Sequence, residues 1–360
     1  MLIKSLALQN FRNFNLQNFN FTKTNLIFGV NGIGKTSIIE AIYLLASAAS
    51  FRAGKVEEMI RLEAELGRVQ GLVDLEDFSK AEAEEIKLEI MLTRGMVQGK
   101  RTQSRLFAVN DIRRRKKDFL TFFKAVVFRP EDLRLVEGSP ARRRSFLDNA
   151  LCMVSAEYAS VLQKYEQTLK RRNRLLQKVN EGKEGRAALH FWNINLVRYG
   201  EFLQIKRASL IDFIREVVFP FELNIGFLPS LISEKRLSEH LDKEIFLGHS
   251  LIGPHKDDFV LKFSQVEKGI DDLSLLAYGS RGQQRLGVLW LKIAELQFLT
   301  DKIGYQPVLL LDDIFSELDE HSKAMVLDLL SNYQTILTTA DADVLADLKT
   351  NLSTLNLIVL

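Results

Sequence analysis

One stretch constrains this chain more than any other: Gly29-Val30-Asn31-Gly32-Ile33-Gly34-Lys35-Thr36-Ser37. It fits the spacing G-x-x-x-x-G-K-[ST] residue for residue. The apolar run Leu26-Ile27-Phe28 before it reads as a short buried strand, and Ile38-Ile39-Glu40-Ala41-Ile42-Tyr43-Leu44-Leu45 after it reads as a core helix. Strand, glycine loop and helix are the surroundings in which backbone N–H groups curl around phosphates and a helix N-terminus adds a favourable dipole. Lys35 would place its charge on the β- and γ-phosphates, and the Thr36 hydroxyl would hold Mg²⁺. Gly29, Asn31, Gly32, Gly34, Lys35, Thr36 and Ser37 are therefore the candidate nucleotide contacts. A glycine turn that merely contains Lys-Thr is the bland alternative, and the flanking strand and helix argue against it. ATP and Mg²⁺ are the expected cofactors.

Size and composition bound the rest. At 360 residues, 46% hydrophobic and 26% charged, the chain has the make-up of a soluble globular protein with room for one large domain or two ordinary ones. Its net charge of +3 announces no nucleic-acid partner, so the distribution of charge matters more than the total. The single cysteine, Cys152, excludes an internal disulfide framework, and the five histidines lack the spacing of a zinc site. The N-terminus lacks the plan of a signal peptide, and no apolar run reaches the roughly 18 residues of a membrane span. A cytoplasmic protein with no membrane association is expected.

In chain order, Leu2–Leu8 and the segment around Phe19 and Phe21 read as strands, with Asn10-Phe11-Arg12-Asn13-Phe14 between them. Ile86–Leu92 is the clearest strand of the following acidic region. The basic run Arg113-Arg114-Arg115-Lys116-Lys117 follows Val109-Asn110-Asp111-Ile112, which predicts a hairpin presenting it. Lys124–Phe128 is a further buried strand. Ser139-Pro140 opens a helix, and Arg142-Arg143-Arg144 follow at once. Helical periodicity runs from there to about Lys178, with Lys164, Lys170, Arg171, Arg172, Arg174 and Lys178 expected on its basic surface. A second helix from about Ala187 to Val218 would complete an antiparallel arm. His255, in the turn Ile252–Asp258, is expected to stabilise that turn or to lie near nucleotide.

The chemistry has a second half. Val308-Leu309-Leu310-Leu311-Asp312-Asp313 reads as a buried parallel strand with acids at its C-terminal end, where α/β sheets place ligands. Asp312 would hold the Mg²⁺ and Asp313 would polarise an attacking water. Ser316-Glu317-Leu318-Asp319 follows, and then the strand Thr335-Ile336-Leu337-Thr338-Thr339. Ser280-Arg281-Gly282-Gln283-Gln284 opens a helix and makes a second anion site. Two such sites and one γ-phosphate per ATP imply that the second closes on nucleotide held by another subunit.

This order of motifs resembles the ABC-type ATPases, and within them the RecF family of bacterial recombination-mediator ATPases. The residues that carry the resemblance are Asn10–Asn13, the phosphate loop, Phe128–Asp132, Gly138-Ser139-Pro140 with its arginines, Lys170–Asn173, Gly253–Asp258, Ser280–Arg285 and Leu310–Asp319. It implies an α/β fold, an ABC/SMC-like P-loop ATPase head with an inserted mainly helical lobe. The parts would be an N-terminal head segment 1–138, a helical arm 139–240, and a C-terminal head segment 241–360 with signature and Walker B. It further implies an ATP-dependent homodimer, slow DNA-stimulated hydrolysis, and work with RecR, indirectly RecO and RecA, at single-strand gaps. By position, Lys35, Asp312 and Asp313 are the catalytic set, Ser280, Gly282 and Gln283 serve the partner's nucleotide, and Arg12 lies near nucleotide. Departures are Ile33 within the loop, Thr338 or Thr339 where transporter ATPases carry a histidine, and no clean glutamine for the metal-contacting loop, where Glu131 or Asp132 stands in.

DNA, as duplex or gap junction and without sequence specificity, is the expected macromolecular partner. Arg113, Arg114, Arg115, Lys116, Lys117, Arg142, Arg143 and Arg144 are the candidate contacts. Cations without an interleaved aromatic platform favour duplex backbone over stacked single strands. A transporter subunit is disfavoured by the incomplete signature and the basic arm, a nucleotide-binding scaffold by the intact Asp312 and Asp313, and a nuclease by the lack of an extra acidic domain.

Overall fold

The computed structural model describes residues 2–75, 84–265, 270–352 and 354–360. It divides into two compact units, residues 1–132 with 303–360, and residues 133–302.

The first unit is built around the helix Lys35–Ser47, which is buried on nearly every side. A helix that is apolar all round must be covered all round, and two sheets do this. One is a five-stranded parallel sheet in the order Ala125–Phe128, Val308–Asp312, Thr335–Thr339, Thr24–Phe28, Asn356–Val359. The strand Val308–Asp312 is a continuous Val-Leu run up to its aspartate, as a strand covered on both faces requires, and the five residues of Thr335–Thr339 beside it are all buried, threonines included. The other is a six-stranded antiparallel sheet in the order Phe14–Asn20, Leu2–Phe11, Leu66–Leu75, Glu84–Thr93, Arg105–Val109, Ile112–Arg114. Buried Gln334 fastens one sheet to the other, accepting from the Ile3 backbone at 2.7 Å and donating to its carbonyl at 2.8 Å. The expected basic hairpin is present. Asn110 and Asp111 both adopt positive φ (50° and 63°), the two-residue turn that matches strand twist.

The second unit is mainly helical. The helix foreseen from Ser139 to Lys178 is two helices, Pro140–Val154 and Ala156–Asn180. Ser155 breaks it, leaving helical φ/ψ so that its hydroxyl can accept from the Tyr158 N–H, a cap that periodicity does not reveal. The helix Ala156–Asn180 packs antiparallel to His190–Glu216, and Glu234–Leu247 lies against both. A three-stranded antiparallel sheet, Leu223–Leu228, Asp258–Gln265 and Ile270–Ser274, completes the unit with the helix Arg281–Ile303. Among the described residues no helix is long and apolar enough to cross a membrane.

Candidate nucleotide-binding site

The loop Gly29–Ser37 runs from the strand Thr24–Phe28 into the helix Lys35–Ser47. Gly32 and Gly34 take φ of 85° and 123°, conformations that a side chain disfavours. At Gly34 there is also no space: a Cβ would lie 2.7 Å from the Asn13 side-chain nitrogen. Asn13 is there because its Nδ2 donates to the Ile33 carbonyl at 2.7 Å, bracing the loop from the neighbouring hairpin. Lys35 is buried, and its ammonium folds back into the loop to donate to Gly29 O at 2.7 Å, Val30 O at 3.1 Å and Asn31 Oδ1 at 3.4 Å. Among the described residues no carboxylate pairs with it, so the charge stays available to an anion. Ser37 is buried in the first turn of the helix.

Parallel pairing places the acidic strand two places from the loop strand, with Thr335–Thr339 between. Thr36 Oγ1 and Thr338 Oγ1 both donate to Asp312 Oδ1, at 3.0 and 2.8 Å. Thr338 Oγ1 also accepts from the Asp313 N–H at 3.0 Å, holding Asp313 at a positive φ of 51°. A left-handed aspartate costs backbone energy and is found where surrounding structure enforces it. Burial pushes the Asp312 carboxyl up, the two hydroxyls pull it back, and Asp313 and Glu131 push it further. Asp132 is held by Arg129, whose backbone N–H and Nη2 donate to it at 3.0 Å each, while Glu131 keeps a largely exposed side chain.

The donor set suits Mg²⁺. A buried carboxylate and a hydroxyl 3.0 Å apart are hard oxygen ligands. Among the described residues no group of three His, Cys, Asp or Glu side chains could hold a metal unaided. The site therefore has the form of one completed by phosphate oxygens, the usual habit of Mg²⁺.

A cleft of about 540 Å³ opens over the loop and includes Arg12, Asn31, Lys35, Thr36, Arg52 and Asp313 in its lining. Arg12 borders it but is already engaged. Its Nε and Nη2 donate to the two oxygens of Glu40 at 2.8 and 2.6 Å, and its Nη1 donates to the Glu58 carbonyl at 2.6 Å. Glu40 is fully buried and also accepts from the Ser50 hydroxyl. Sequence reading passed over Glu40, although a lone carboxylate in an apolar helix is itself a signal for a buried partner.

The signature residues belong to the second unit. Ser280 Oγ accepts from the Gln283 N–H at 3.2 Å while Gln283 Oε1 accepts from the Ser280 N–H at 2.9 Å, a reciprocal capping box that starts the helix Arg281–Ile303 with Gly282 in its first turn.

The basic candidates separate by environment. Arg113, Arg114, Arg115, Lys116 and Lys117 are exposed on and after the edge strand Ile112–Arg114, and Arg142 is exposed near the start of its helix. Arg143 instead clamps Asp258 at 2.6 and 2.9 Å, and Arg144 donates to the Asp257 carbonyl at 2.8 Å. Arg172, expected on the basic surface, is fully buried, because Glu244 of the helix Glu234–Leu247 meets it at 2.6 Å. His255 is a turn residue: the Tyr165 hydroxyl lies 2.8 Å from its Nδ1 and the Ser250 carbonyl 3.1 Å from its Nε2. The fold also supplies aromatics that the sequence reading did not find among the cations. Antiparallel packing lays Arg171 over Trp192, 5.4 Å from the ring centroid and far from it in sequence.

A phosphate loop beside an acidic strand in a parallel sheet, with an antiparallel sheet across the buried helix, defines an ABC/SMC-like P-loop ATPase head. The model of the RecF/RecN/SMC N-terminal domain matches residues 2–356, and the chain belongs to the RecF family. It is 32% identical over 357 residues to the DNA replication and repair protein RecF of Agathobacter rectalis, covering 95% of this chain and 93% of that one. It is likewise 32% identical to RecF of Caldanaerobacter subterraneus, covering 96% of each. A solved structure of the recombination mediator protein RecF-ATP in the RecFOR pathway superposes with a TM-score of 0.80 at 29% identity, over 94% of this chain and 92% of that one.

Proposed function

We propose that this chain is an ATP-dependent DNA-binding protein of recombinational repair. It dimerises around ATP on DNA, hydrolyses the nucleotide slowly with stimulation by DNA, and with RecR assists RecA loading at gaps, RecO acting indirectly and all in the cytoplasm. The observation that carries the nucleotide chemistry is the hydrogen bond of Thr36 to Asp312 beside a loop-folded Lys35 that meets no carboxylate among the described residues. The relatives' names and the ATP in a solved RecF support the rest.

Lys35 exchanges its loop carbonyls for β- and γ-phosphate oxygens, a point charge delivered without moving the backbone. Thr36 and Asp312 would hold the Mg²⁺, and Glu131 would be the acid at the metal-contacting loop. The chemistry that a bound Mg²⁺ would supply there is neutralisation of charge on the phosphate oxygens. Asp313, fixed through Thr338, takes a proton from the attacking water. Ser280, Gly282 and Gln283 open their capping box to nucleotide held by a second subunit, and Arg12 supports the near side of the cleft through Glu40. Arg113–Lys117 and Arg142 contact DNA phosphates, so binding falls steeply with salt and carries no sequence readout.

The test is molecular mass and duplex-DNA affinity with ATP, with ADP, and with ATP on the Lys35→Met variant. A dimer and salt-sensitive binding with ATP alone support the clamp, and added RecR then supershifts the complex. Mass and affinity that ignore the nucleotide refute it.

A further inference from the structure

The two edges of the six-stranded sheet in the first unit are guarded differently. The strand Ile112–Arg114 carries Arg113 and Arg114, cations of the kind that keep an open edge from recruiting another strand. The opposite edge, Phe14–Asn20, has no such guard. Residues 13–22 are ten in a row without charge or proline, in a chain that is 26% charged. Among the described residues the backbone of Phe14–Phe19 hydrogen-bonds only to Leu2–Phe11, so alternate N–H and C=O groups face outward. Asn15, Leu16, Gln17 and Asn18 are exposed in succession, Leu16 by 69%, so both faces of the strand are open there.

The side chains of this edge define what fits it. Asn15, Gln17, Asn18 and Asn20 are exposed carboxamides that make no hydrogen bond among the described residues. A carboxamide both donates and accepts, so a copy of itself satisfies it. Carboxylates or ammonium groups in the same places would repel across a two-fold axis. An antiparallel pair of identical strands about such an axis is thus matched in backbone, in side-chain hydrogen bonding and in charge.

We propose that the edge Phe14–Asn20 is a self-association strand, at which a second copy of this chain adds antiparallel and joins two sheets into one. The seven residues pair over roughly 23 Å. This contact is separate from the nucleotide-gated one. Resting on the proposed ATP-dependent dimer, it gives each copy two different two-fold contacts, which alternate into an open row of subunits. The start of the strand is committed elsewhere: Asn13 braces the Ile33 carbonyl, and the Phe14 ring fills the space beside Gly34. Substitutions that test the edge therefore begin at Gln17.

The full chain is tested with Cys152, its single cysteine, replaced by serine. In a pair whose two-fold axis lies near the middle of the strand, Gln17→Cys sits opposite or diagonal to its own copy, within about 8 Å. A short bifunctional maleimide should then form covalent dimer with Gln17→Cys and not with Arg113→Cys on the guarded edge. Adding Asn18→Lys to Gln17→Cys should slow the reaction about tenfold or more, because like charges face each other across the interface, and Asn18→Glu should do the same. Mixing the lysine and glutamate variants should restore the rate, a rescue that misfolding does not allow, and unchanged melting certifies each fold. ATP should convert the covalent dimers into larger species, and ADP should not. Cross-linking no faster than that of Arg113→Cys, or no rescue in the mixture, overturns the proposal. So does binding of a free peptide of residues 13–21 to chains that do not cross-link, which assigns the edge to a strand of another protein. Covalent dimers that ignore ATP leave the edge contact standing and defeat only the nucleotide-gated dimer.

Discussion

Arg12 and Glu40 form a two-point ion pair beneath the rim of the nucleotide cleft, the guanidinium reaching from a hairpin turn at φ 53° to a carboxylate with no exposure at all. Removing one member of such a pair strands the other, and the stranded charge is what costs stability. Arg12→Ala should destabilise the first unit by about 3–5 kcal/mol in urea unfolding. The double variant Arg12→Met/Glu40→Leu should recover most of that loss. If ATP affinity stays low in the double variant, Arg12 also serves the nucleotide; full recovery of both shows the pair to be structural.

Thr338 links the two acids, donating to Asp312 and accepting from the Asp313 backbone. It touches no phosphate in the proposed mechanism, so it acts by positioning. Thr338→Val should lower Mg²⁺ affinity in the ATP complex about 10–100-fold, as loss of an outer partner of a metal ligand does. Nucleotide binding without metal should be unchanged, and Thr338→Ser should restore the wild-type metal dependence. A Mg²⁺ titration of ATPase rate checks it, and an unchanged half-saturation in Thr338→Val refutes the positioning role.

Local chemistry was legible in the sequence, and long-range pairing was not. The phosphate loop, the acidic strand Val308–Asp312 and the basic hairpin around Asn110-Asp111 are each specified by a few contiguous residues whose backbone demands are distinctive. Glu40 and Arg172 were misjudged because their partners arrive from elsewhere, Arg12 from a turn and Glu244 from a helix that no motif announced. The pairing of Leu2–Phe11 with Leu66–Leu75 is equally invisible, since alternation specifies a strand's faces and not its neighbour. The Arg171–Trp192 contact was missed for the same reason: an antiparallel turn brings together residues that a linear scan keeps apart.

The burial of Arg172 makes a direct test of that distinction. Arg172→Met should cost the second unit about 3–5 kcal/mol, leaving Glu244 buried and unpaired. Lys170→Ala and Arg174→Ala, on the exposed side of the same helix, should each stay within about 0.5 kcal/mol. Chemical denaturation of the three variants reads the difference. Equal, small effects from all three would return Arg172 to the surface.

His255 gives the second unit an acid-labile joint. Burial pulls its imidazole down to about 4. Its geometry agrees with a neutral ring, Nδ1 accepting from Tyr165 and Nε2–H donating to the Ser250 carbonyl. The unfolded chain binds the proton near pH 6.5 and the folded chain resists it until about pH 4. The contribution is therefore whole above about pH 6.5 and is lost progressively as pH falls through the folded value, to a total of about 3 kcal/mol. Asp257, two residues on, is pushed up by burial, so the histidine must be isolated by difference. His255→Gln should be less stable than wild type at pH 8, for want of the paired hydrogen bonds, and the gap should narrow by about 3 kcal/mol between pH 6.5 and 4. Urea unfolding across that range measures it, and a gap that stays constant with pH would mean the imidazole titrates alike in both states.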